Sequence, residues 1–406
     1  MKLLVGPGLR DPKGHEAPLV KALRRVADVR TFEPGPSDFL TVLRALPHGW
    51  NPDAVLVRDA EFYKIPRGLE CAPMPVFALV GDYNLSLPAM LPILGSFDHF
   101  FCDSKGERIF KKLGLTHCGF FCLYGYDPEV HREYGGPKDW DIVFIGNLNH
   151  AVQQDRESSL YELARIGKRY RVHISTGIYG PEYARILSSA RLVFNRAIRD
   201  EANMRFFEAI GCGATVMNRR LDELDRLGFF ADEHYLECGT IEEAVERYFE
   251  TWGADERDRL KWAAGQAIRR HSYEQRAVDL VERMRSTPVD LAQRIFSGLD
   301  ALDRKRRWDL HHAGEVSIPG GGRLAPFDPT LVRWQKLLVD GELEIRGFDF
   351  QMWFWWADLL AESGLYRFLA DFLLDREALL DAFGCYGSIT QELRRRVNRL
   401  IYGFSF

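Results

Sequence analysis

The sequence lacks any apolar run that approaches the ~20 residues needed to cross a bilayer, so we expect no membrane-spanning helix. The apolar stretch within Met1–Gly8 is too short for a secretory signal peptide and leads at once into glycine and proline. The formal net charge is only -4. Electrostatics therefore gives no reason to expect a nucleic acid as a partner.

Cysteines at metal-binding or disulfide spacing are also absent. The seven cysteines are odd in number, scattered along the chain, and include no Cys-x-x-Cys pair. No Asp-x-Asp pair is placed to hold a metal ion. We therefore expect reduced, mostly buried thiols in a cytoplasmic protein, with no bound metal and no resident cofactor. A hydrophobic content of 46% in 406 residues predicts two or three domains with substantial cores.

Two series of short apolar strands alternate with helical segments. The first series begins at Lys2–Val5, and the second begins at Trp140–Asn147 and continues to about Arg285. Tyr124–Glu129 lies between the two series. This alternation predicts an α/β fold in which each series forms a parallel sheet covered by helices on both faces. The expected domains are 1–125, 126–285 and 286–406.

The third segment, 286–406, departs from the alternating pattern and reads as a helix-rich extension. It contains the aromatic cluster Phe350–Trp356. Such a cluster is typical of a helix packed into its own small core or against the N-terminal half of the chain. It also fits a homodimer face or a surface that contacts a lipid or polymer. The sequence leaves these three interpretations open.

The segment from Asp200 to Ala214 is the most informative part of the chain. It follows a short apolar strand, and Asn203 is a good N-cap for a helix that ends near Gly211 and Gly213. Asp200 then lies in the loop before the helix, and Glu208 lies about two turns along it. A helix N-terminus attracts a diphosphate, and a carboxylate can accept hydrogen bonds from a ribose diol. The pattern favours a nucleotide-sugar as ligand.

Two acids separated by seven residues, followed by a Glu-Ala helix that closes in small residues, resemble the donor signature of GT-B glycosyltransferases. The resemblance is to the retaining, nucleotide-sugar-dependent enzymes of this type, which have two Rossmann-like halves. The sequence of residues 203–209 is most similar to that of the spore-maturation branch of the group 1 glycosyltransferases. The chain departs from the wider superfamily by having Asp200 where glutamate is usual and by lacking Gly-Phe-Gly before the helix.

The resemblance implies two Rossmann-like domains facing a cleft, with an acceptor domain at 1–125 and a donor domain at 126–285. It implies transfer of a hexose-like sugar to an unidentified hydroxyl of a glycan, lipid or protein, with retention and without metal. Implied catalytic residues are Asp200, Asp82 and His15. Implied donor-binding residues are Glu208, Gly146, Arg156, Asn203, Met204, Arg205, Gly14 and Tyr179.

Plainer roles remain open for several of these residues. Asp82 could instead cap or form a turn. His15 could be a solvent-exposed residue at the start of the first helix, and Tyr179 could be a packing residue before Gly-Pro. Two other functional classes fit the same scaffold. One is a non-catalytic protein that binds nucleotide-sugars or assembles with a partner, and the other is a sugar-nucleotide epimerase or a phosphorylase.

Overall fold

The computed structural model describes residues 1–316, apart from 8, 10–15, 34–37, 61–62, 82, 84–89, 113–114, 147–153 and 198–200. The chain forms two compact units. One consists of Met1–Phe121 together with the chain from Val281, and the other is Cys122–Leu280. The division thus falls after Phe121 and after Leu280, a few residues before the predicted boundaries at 125 and 285. The described residues that follow Val281 group with the N-terminal unit.

The N-terminal unit is built on a six-stranded sheet in which all neighbouring strands are parallel, in the order β2-β1-β3-β4-β5-β6. The central strands are fully buried, as expected for a sheet with both faces covered. The strands are β1 Lys2–Gly6, β2 Asp28–Thr31, β3 Ala54–Val57, β4 Val76–Leu79, β5 His99–Cys102 and β6 Cys118–Phe120. The α-helices between them are α1 Pro18–Val26, α2 Phe39–Arg44 and α3 Ser104–Lys112. Short 3-10 helices cover Leu69–Cys71 and Leu91–Ser96.

The second unit contains a five-stranded parallel sheet in the order β11-β10-β9-β7-β8. Its strands are β7 Trp140–Ile145, β8 Val172–Ser175, β9 Ala190–Phe194, β10 Thr215–Asn218 and β11 Leu236–Glu237. Its α-helices are α4 Gln154–Ile166, α5 Gly180–Ser188, α6 Met204–Gly211, α7 Asp222–Arg226, α8 Ile241–Glu246 and α9 Ala254–Ala267. A π-helix at Arg247–Thr251 extends α8, and a 3-10 helix at Ile268–His271 extends α9. Helix α10, Tyr273–Ser286, carries the chain back to the N-terminal unit.

The chain after α10 is fastened to the N-terminal unit by buried polar contacts. Arg294 Nε donates to Asp98 Oδ1 at 2.7 Å, and both side chains are almost fully buried. The last described helix, α11 Ala301–Val316, places Trp308 so that its Nε1 donates to Glu70 Oε2 at 3.2 Å. Because a buried charge is costly unless it is paired, these contacts make the returning segment a structural part of this unit.

Each sheet has one point at which the strand order reverses. In the second unit, β8 lies on one side of β7 while β9 and β10 continue on the other side. The same reversal occurs around β1 in the N-terminal unit. Ligands of open α/β sheets bind beyond the carboxyl ends of the strands at such points. The carboxyl ends of β7 and β9 are therefore the first place to examine for a site in the second unit.

The two parallel sheets agree with the strand pattern read from the sequence, and the predicted strands of both series occur close to their expected bounds. Only the start of the predicted helix-rich extension is described, and the aromatic cluster at 350–356 lies outside the described residues. Across residues 1–316 as described, no helix combines the length and apolarity required to cross a membrane.

Candidate functional site

Helix α6 lies beside the carboxyl ends of β7 and β9, and it begins and ends as the sequence predicts. Asn203 has an extended backbone, and its side chain accepts a hydrogen bond from the Phe206 N–H at the first turn. After the helix, Gly213 has a φ of 74°, in the left-handed region that glycine adopts without strain. The predicted cap and stop of this helix are confirmed.

Arg205, one residue into α6, has its guanidinium buried between the ends of two strands. Its Nε donates to the carbonyl oxygen of Ile145 at 2.8 Å, at the end of β7. Its Nη1 donates to Asn195 Oδ1 at 3.0 Å, just beyond β9. The guanidinium carbon lies 4.4 Å from the centre of the Phe144 ring, within cation–π distance. Arg205 therefore carries a fixed positive charge to the point where the strand order reverses.

A chain of amide hydrogen bonds extends this arrangement to the next strand. Asn195 Nδ2 donates to Asn218 Oδ1 at 3.0 Å, and Asn218 Nδ2 donates to the Arg219 carbonyl at 2.6 Å. Both asparagines are 1% exposed. Because each buried polar group has a partner, the network holds Arg205 in one orientation and ties together the carboxyl ends of β7, β9 and β10.

Because Gly146 has no side chain, there is room beside it for the Arg205 guanidinium. A Cβ atom at this position would lie 2.1 Å from Arg205 Nη2, which is far inside van der Waals contact. The sequence favours Gly146 as a turn that lets the backbone approach a phosphate, and that role stays a prediction. The structure supplies a separate reason for glycine here, namely the close approach of the guanidinium.

A second buried arginine lies near the same ring. Arg156, on α4, donates from Nη2 to the carbonyl oxygen of Arg196 at 2.8 Å, and its guanidinium carbon lies 5.3 Å from the centre of Phe144. Burial and then the positive charge of Arg205 lower the pKa of Arg156 to about 9. The positive charge of each arginine disfavours the other, because both side chains are buried. An anion bound beside them would relieve that repulsion.

Glu208, the fifth residue of α6, is 6% exposed and held by other residues of the same unit. Its Oε2 accepts a hydrogen bond from the Tyr183 hydroxyl at 2.9 Å. Its Oε1 lies 3.6 Å from His131 Nε2. An ionised carboxylate has about four acceptor positions, so these two neighbours leave acceptor capacity for a ligand. The ribose contact expected of Glu208 stays a prediction.

The remaining predicted residues divide into two groups. Tyr179 is 48% exposed at the N-cap position of α5, and Met204 is 45% exposed as the first residue of α6. Both follow strands of the second sheet and lie on the surface. Four predicted residues lie outside the described residues, and their assigned roles stay predictions: Gly14, His15, Asp82 and Asp200.

Several residues of the site were missed from the sequence. Asn195 directly follows β9 and Asn218 is the last residue of β10, and a polar residue at the end of a buried strand was the available signal. Glu223 Oε1 accepts a hydrogen bond from the Ala202 N–H at 3.0 Å, which anchors the loop before α6. Tyr183 and His131 gave no signal, because only the folded chain brings them to Glu208.

Within the described parts of residues 1–316, no three or more His, Cys, Asp or Glu side chains are grouped so that they could hold a metal ion. Metal independence stays a prediction from the sequence.

One family model is similar to a segment that lies almost entirely in the second unit. A family model described as "Glycosyl transferase-like" matches residues 138–282. No match was found among curated protein sequences. The resemblance to the spore-maturation branch stays a prediction.

Solved structures that cover about 70% of the chain show the same fold. The protein is similar to a sucrose-phosphate synthase from Thermosynechococcus elongatus, with 12% identity, a TM-score of 0.50, and coverage of 70% of this chain and 98% of that one. It is also similar to an E. coli structure described as trehalose-6-phosphate bound with UDP-2-fluoro glucose, with 9% identity, a TM-score of 0.50, and coverage of 71% and 100%. At these identities the likeness shows fold alone. The predicted α/β fold with two parallel-sheet, Rossmann-like domains of the GT-B type is confirmed.

Proposed function

We propose that this protein is a glycosyltransferase that moves a hexose-like sugar from a nucleotide-sugar to an acceptor hydroxyl, with retention and without metal. The observation that carries the proposal is the pair of buried arginines, Arg156 and Arg205, beside Phe144 at the carboxyl ends of β7 and β9. This pair lies within the segment 138–282 that matches the glycosyl transferase-like family. A diphosphate placed there meets two guanidinium groups, whose planar geometry suits paired phosphate oxygens.

In this reaction the leaving group is the part that most needs stabilisation. The bond between the anomeric carbon and the phosphate oxygen breaks, and the diphosphate gains negative charge. Arg156, Arg205 and the N–H groups at the start of α6 supply positive potential at that position. The acceptor oxygen bonds to the anomeric carbon from the same face, and its proton passes to the departing diphosphate. The work of the protein is then positioning and electrostatic stabilisation.

The acids of the motif take separate roles in this proposal. Glu208 accepts hydrogen bonds from the ribose hydroxyls, while Asp200, in the loop before α6, contacts the sugar. Met204 and Tyr179 are exposed beside the same sheet edge and offer apolar surface to the base. His15, Asp82 and Gly14 act from the N-terminal domain, on the acceptor side of the reaction.

UDP-sugars are the first donors to test, because the similar E. coli structure is bound with UDP-2-fluoro glucose. The acceptor is a glycan, a lipid or a protein, and the reaction takes place in the cytoplasm without a resident cofactor. Residues 286–406 are proposed as a homodimer contact.

The decisive experiment measures release of nucleoside diphosphate from UDP-glucose, UDP-N-acetylglucosamine, ADP-glucose and GDP-mannose without an acceptor. Wild type is compared with Arg156→Ala and with a control, Arg259→Ala, which removes an exposed arginine of α9 in the same unit. We expect slow release of nucleoside diphosphate by wild type with at least one donor. Release should be at least about 10-fold slower in Arg156→Ala, because charge-assisted hydrogen bonds to the leaving group are lost.

Three results would contradict the proposal, and the first two of them would also identify an alternative function. Tight binding of a nucleotide-sugar with no turnover, even with acceptor mixtures, would indicate a binding or assembly protein. Conversion of one sugar into its epimer would indicate an epimerase. Equal loss of activity in both arginine variants would remove Arg156 from the donor site.

A further inference from the structure

A buried polar cluster formed by His131, Tyr183 and Glu208 lies behind the motif helix of the second unit. On the basis of the function proposed above, we propose that Tyr183 and His131 are positioning residues that orient the Glu208 carboxylate toward the ribose diol. Residues 126–133 are then part of the nucleotide-binding machinery, although they lie outside both the motif and the segment 138–282.

Tyr183 is the direct hydrogen-bond donor to Glu208. It belongs to α5, is 8% exposed, and its hydroxyl donates to Glu208 Oε2 at 2.9 Å. Burial, followed by the charge of Glu208, raises the pKa of Tyr183 well above its usual value. The phenol therefore stays protonated at neutral pH and remains a donor. This bond fixes one of the two carboxylate oxygens.

His131 faces the other oxygen, and the backbone sets which of its nitrogens carries the proton. Its Nδ1 accepts a hydrogen bond from the Asp127 N–H at 3.1 Å, so Nδ1 has no proton. The ring proton is then on Nε2, which lies 3.6 Å from Glu208 Oε1. This distance is longer than a hydrogen bond and corresponds to an electrostatic contact. The N–H dipole still favours one orientation of the carboxylate.

The segment that carries His131 is packed directly on the last turn of α6. A Cβ atom at Gly211 would lie 2.7 Å from the Tyr126 ring and 3.0 Å from the carbonyl oxygen of His131. Since Gly211 and Glu208 lie on one helix, this packing fixes the backbone that carries Glu208 relative to the segment that carries His131. Burial lowers the pKa of Arg205, and the charges of Tyr183 and Glu208 act against that lowering, so the cluster is also electrostatically coupled to Arg205.

The test compares ligands with and without the ribose diol. Affinity is measured by titration calorimetry for UDP and 2′,3′-dideoxy-UDP, and for the ADP and GDP pairs, on the full chain. The variants are Tyr183→Phe, which removes one oxygen, His131→Leu, and His131→Gln, whose amide keeps an N–H donor. Tyr248→Phe is the control for a buried tyrosine of the same unit.

We expect Tyr183→Phe to weaken binding of the preferred diphosphate about 10- to 150-fold, the range of a hydrogen bond to a charged group. With the dideoxy ligand the loss should shrink to less than about 2-fold, because a carboxylate that contacts no diol has nothing to orient. His131→Leu should show the same dependence on the diol, His131→Gln should recover most of the affinity, and Tyr248→Phe should match wild type.

Equal losses for both ligands would overturn the inference and assign Tyr183 and His131 to general folding. Unchanged affinity in folded Tyr183→Phe would overturn it as well. If Tyr183→Phe does not fold, the comparison of His131→Leu with His131→Gln decides between the same two outcomes. Failure of wild type to bind any of the six ligands is a separate result, since it removes the proposed function itself.

Discussion

Substituting Gly146 by alanine should displace the buried guanidinium of Arg205 without removing any charged group. The added Cβ would lie 2.1 Å from Arg205 Nη2 and 3.1 Å from both Arg205 Cζ and Phe144 Cζ. The centre of the Phe144 ring lies 4.4 Å from the guanidinium carbon of Arg205. The guanidinium must therefore leave its place and lose its bonds to the carbonyl of Ile145 and the amide of Asn195.

The magnitude follows from those two bonds. A hydrogen bond to a charged group contributes about 1.5 to 3 kcal/mol. Allowing some recovery through new partners, we expect the second unit to lose about 3 to 5 kcal/mol in its free energy of unfolding. For a domain of this size each kcal/mol lowers the melting temperature by about 2 to 4 °C. The transition of the second unit should fall by about 6 to 20 °C.

The assay is differential scanning calorimetry on wild type, Gly146→Ala, Arg205→Ala and the double variant. Gly239→Ala is the matched control, because a Cβ there meets no atom within 4 Å. If the clash is with Arg205, the double variant should be no less stable than Arg205→Ala alone. A Gly146→Ala protein that melts within about 2 °C of wild type, or effects of the two substitutions that simply add, would refute this reasoning.

Three further predictions concern catalysis and pH. Asp200→Asn should lower kcat about 30- to 1,000-fold while leaving diphosphate affinity nearly unchanged, because its bonds matter as the glycosidic bond breaks; wild-type turnover would remove Asp200 from the site. Turnover should persist in excess EDTA, and loss with recovery on adding magnesium or manganese would contradict metal independence. His271 should lower the stability of the second unit in acid, because burial and then Arg276 lower its pKa to about 3. Its contribution is complete above the unfolded pKa of about 6.5 and is lost as pH falls toward 3, so the melting temperature of His271→Gln should fall less steeply over that range.

The sequence predicts those features of the site that depend on neighbouring residues. The cap at Asn203 and the glycines after α6 follow local rules, and both occur where expected. The strands are readable because apolar runs of four to six residues between turn signals match buried parallel strands. The α/β alternation predicts parallel strands, and ligands of such sheets bind beyond the carboxyl ends of the strands. The order of the strands, which selects the ends of β7 and β9, comes from the structure.

The sequence does not predict which side chains meet at those ends. Arg205 meets Asn195 and the carbonyl of Ile145 because parallel pairing aligns the ends of two strands that are far apart in sequence. Glu208 meets His131 and Tyr183, whose separations of 77 and 25 residues follow no local period. Residues with several plausible roles, such as Arg156, receive one role only when their neighbours are known.

The division of the chain has a consequence for the order in which the protein is made. The N-terminal unit needs Arg294 for Asp98 and Trp308 for Glu70, and these residues are synthesised well after Phe121. The second unit is continuous from Cys122 to Leu280 and so has all its parts earlier. At about 5 to 20 residues per second, roughly 10 to 40 s separate the first sheet from its closing helix on the ribosome. During that interval the acidic groups at Glu70 and Asp98 have no partner from the returning segment, and the domain that begins the chain is the last to be completed.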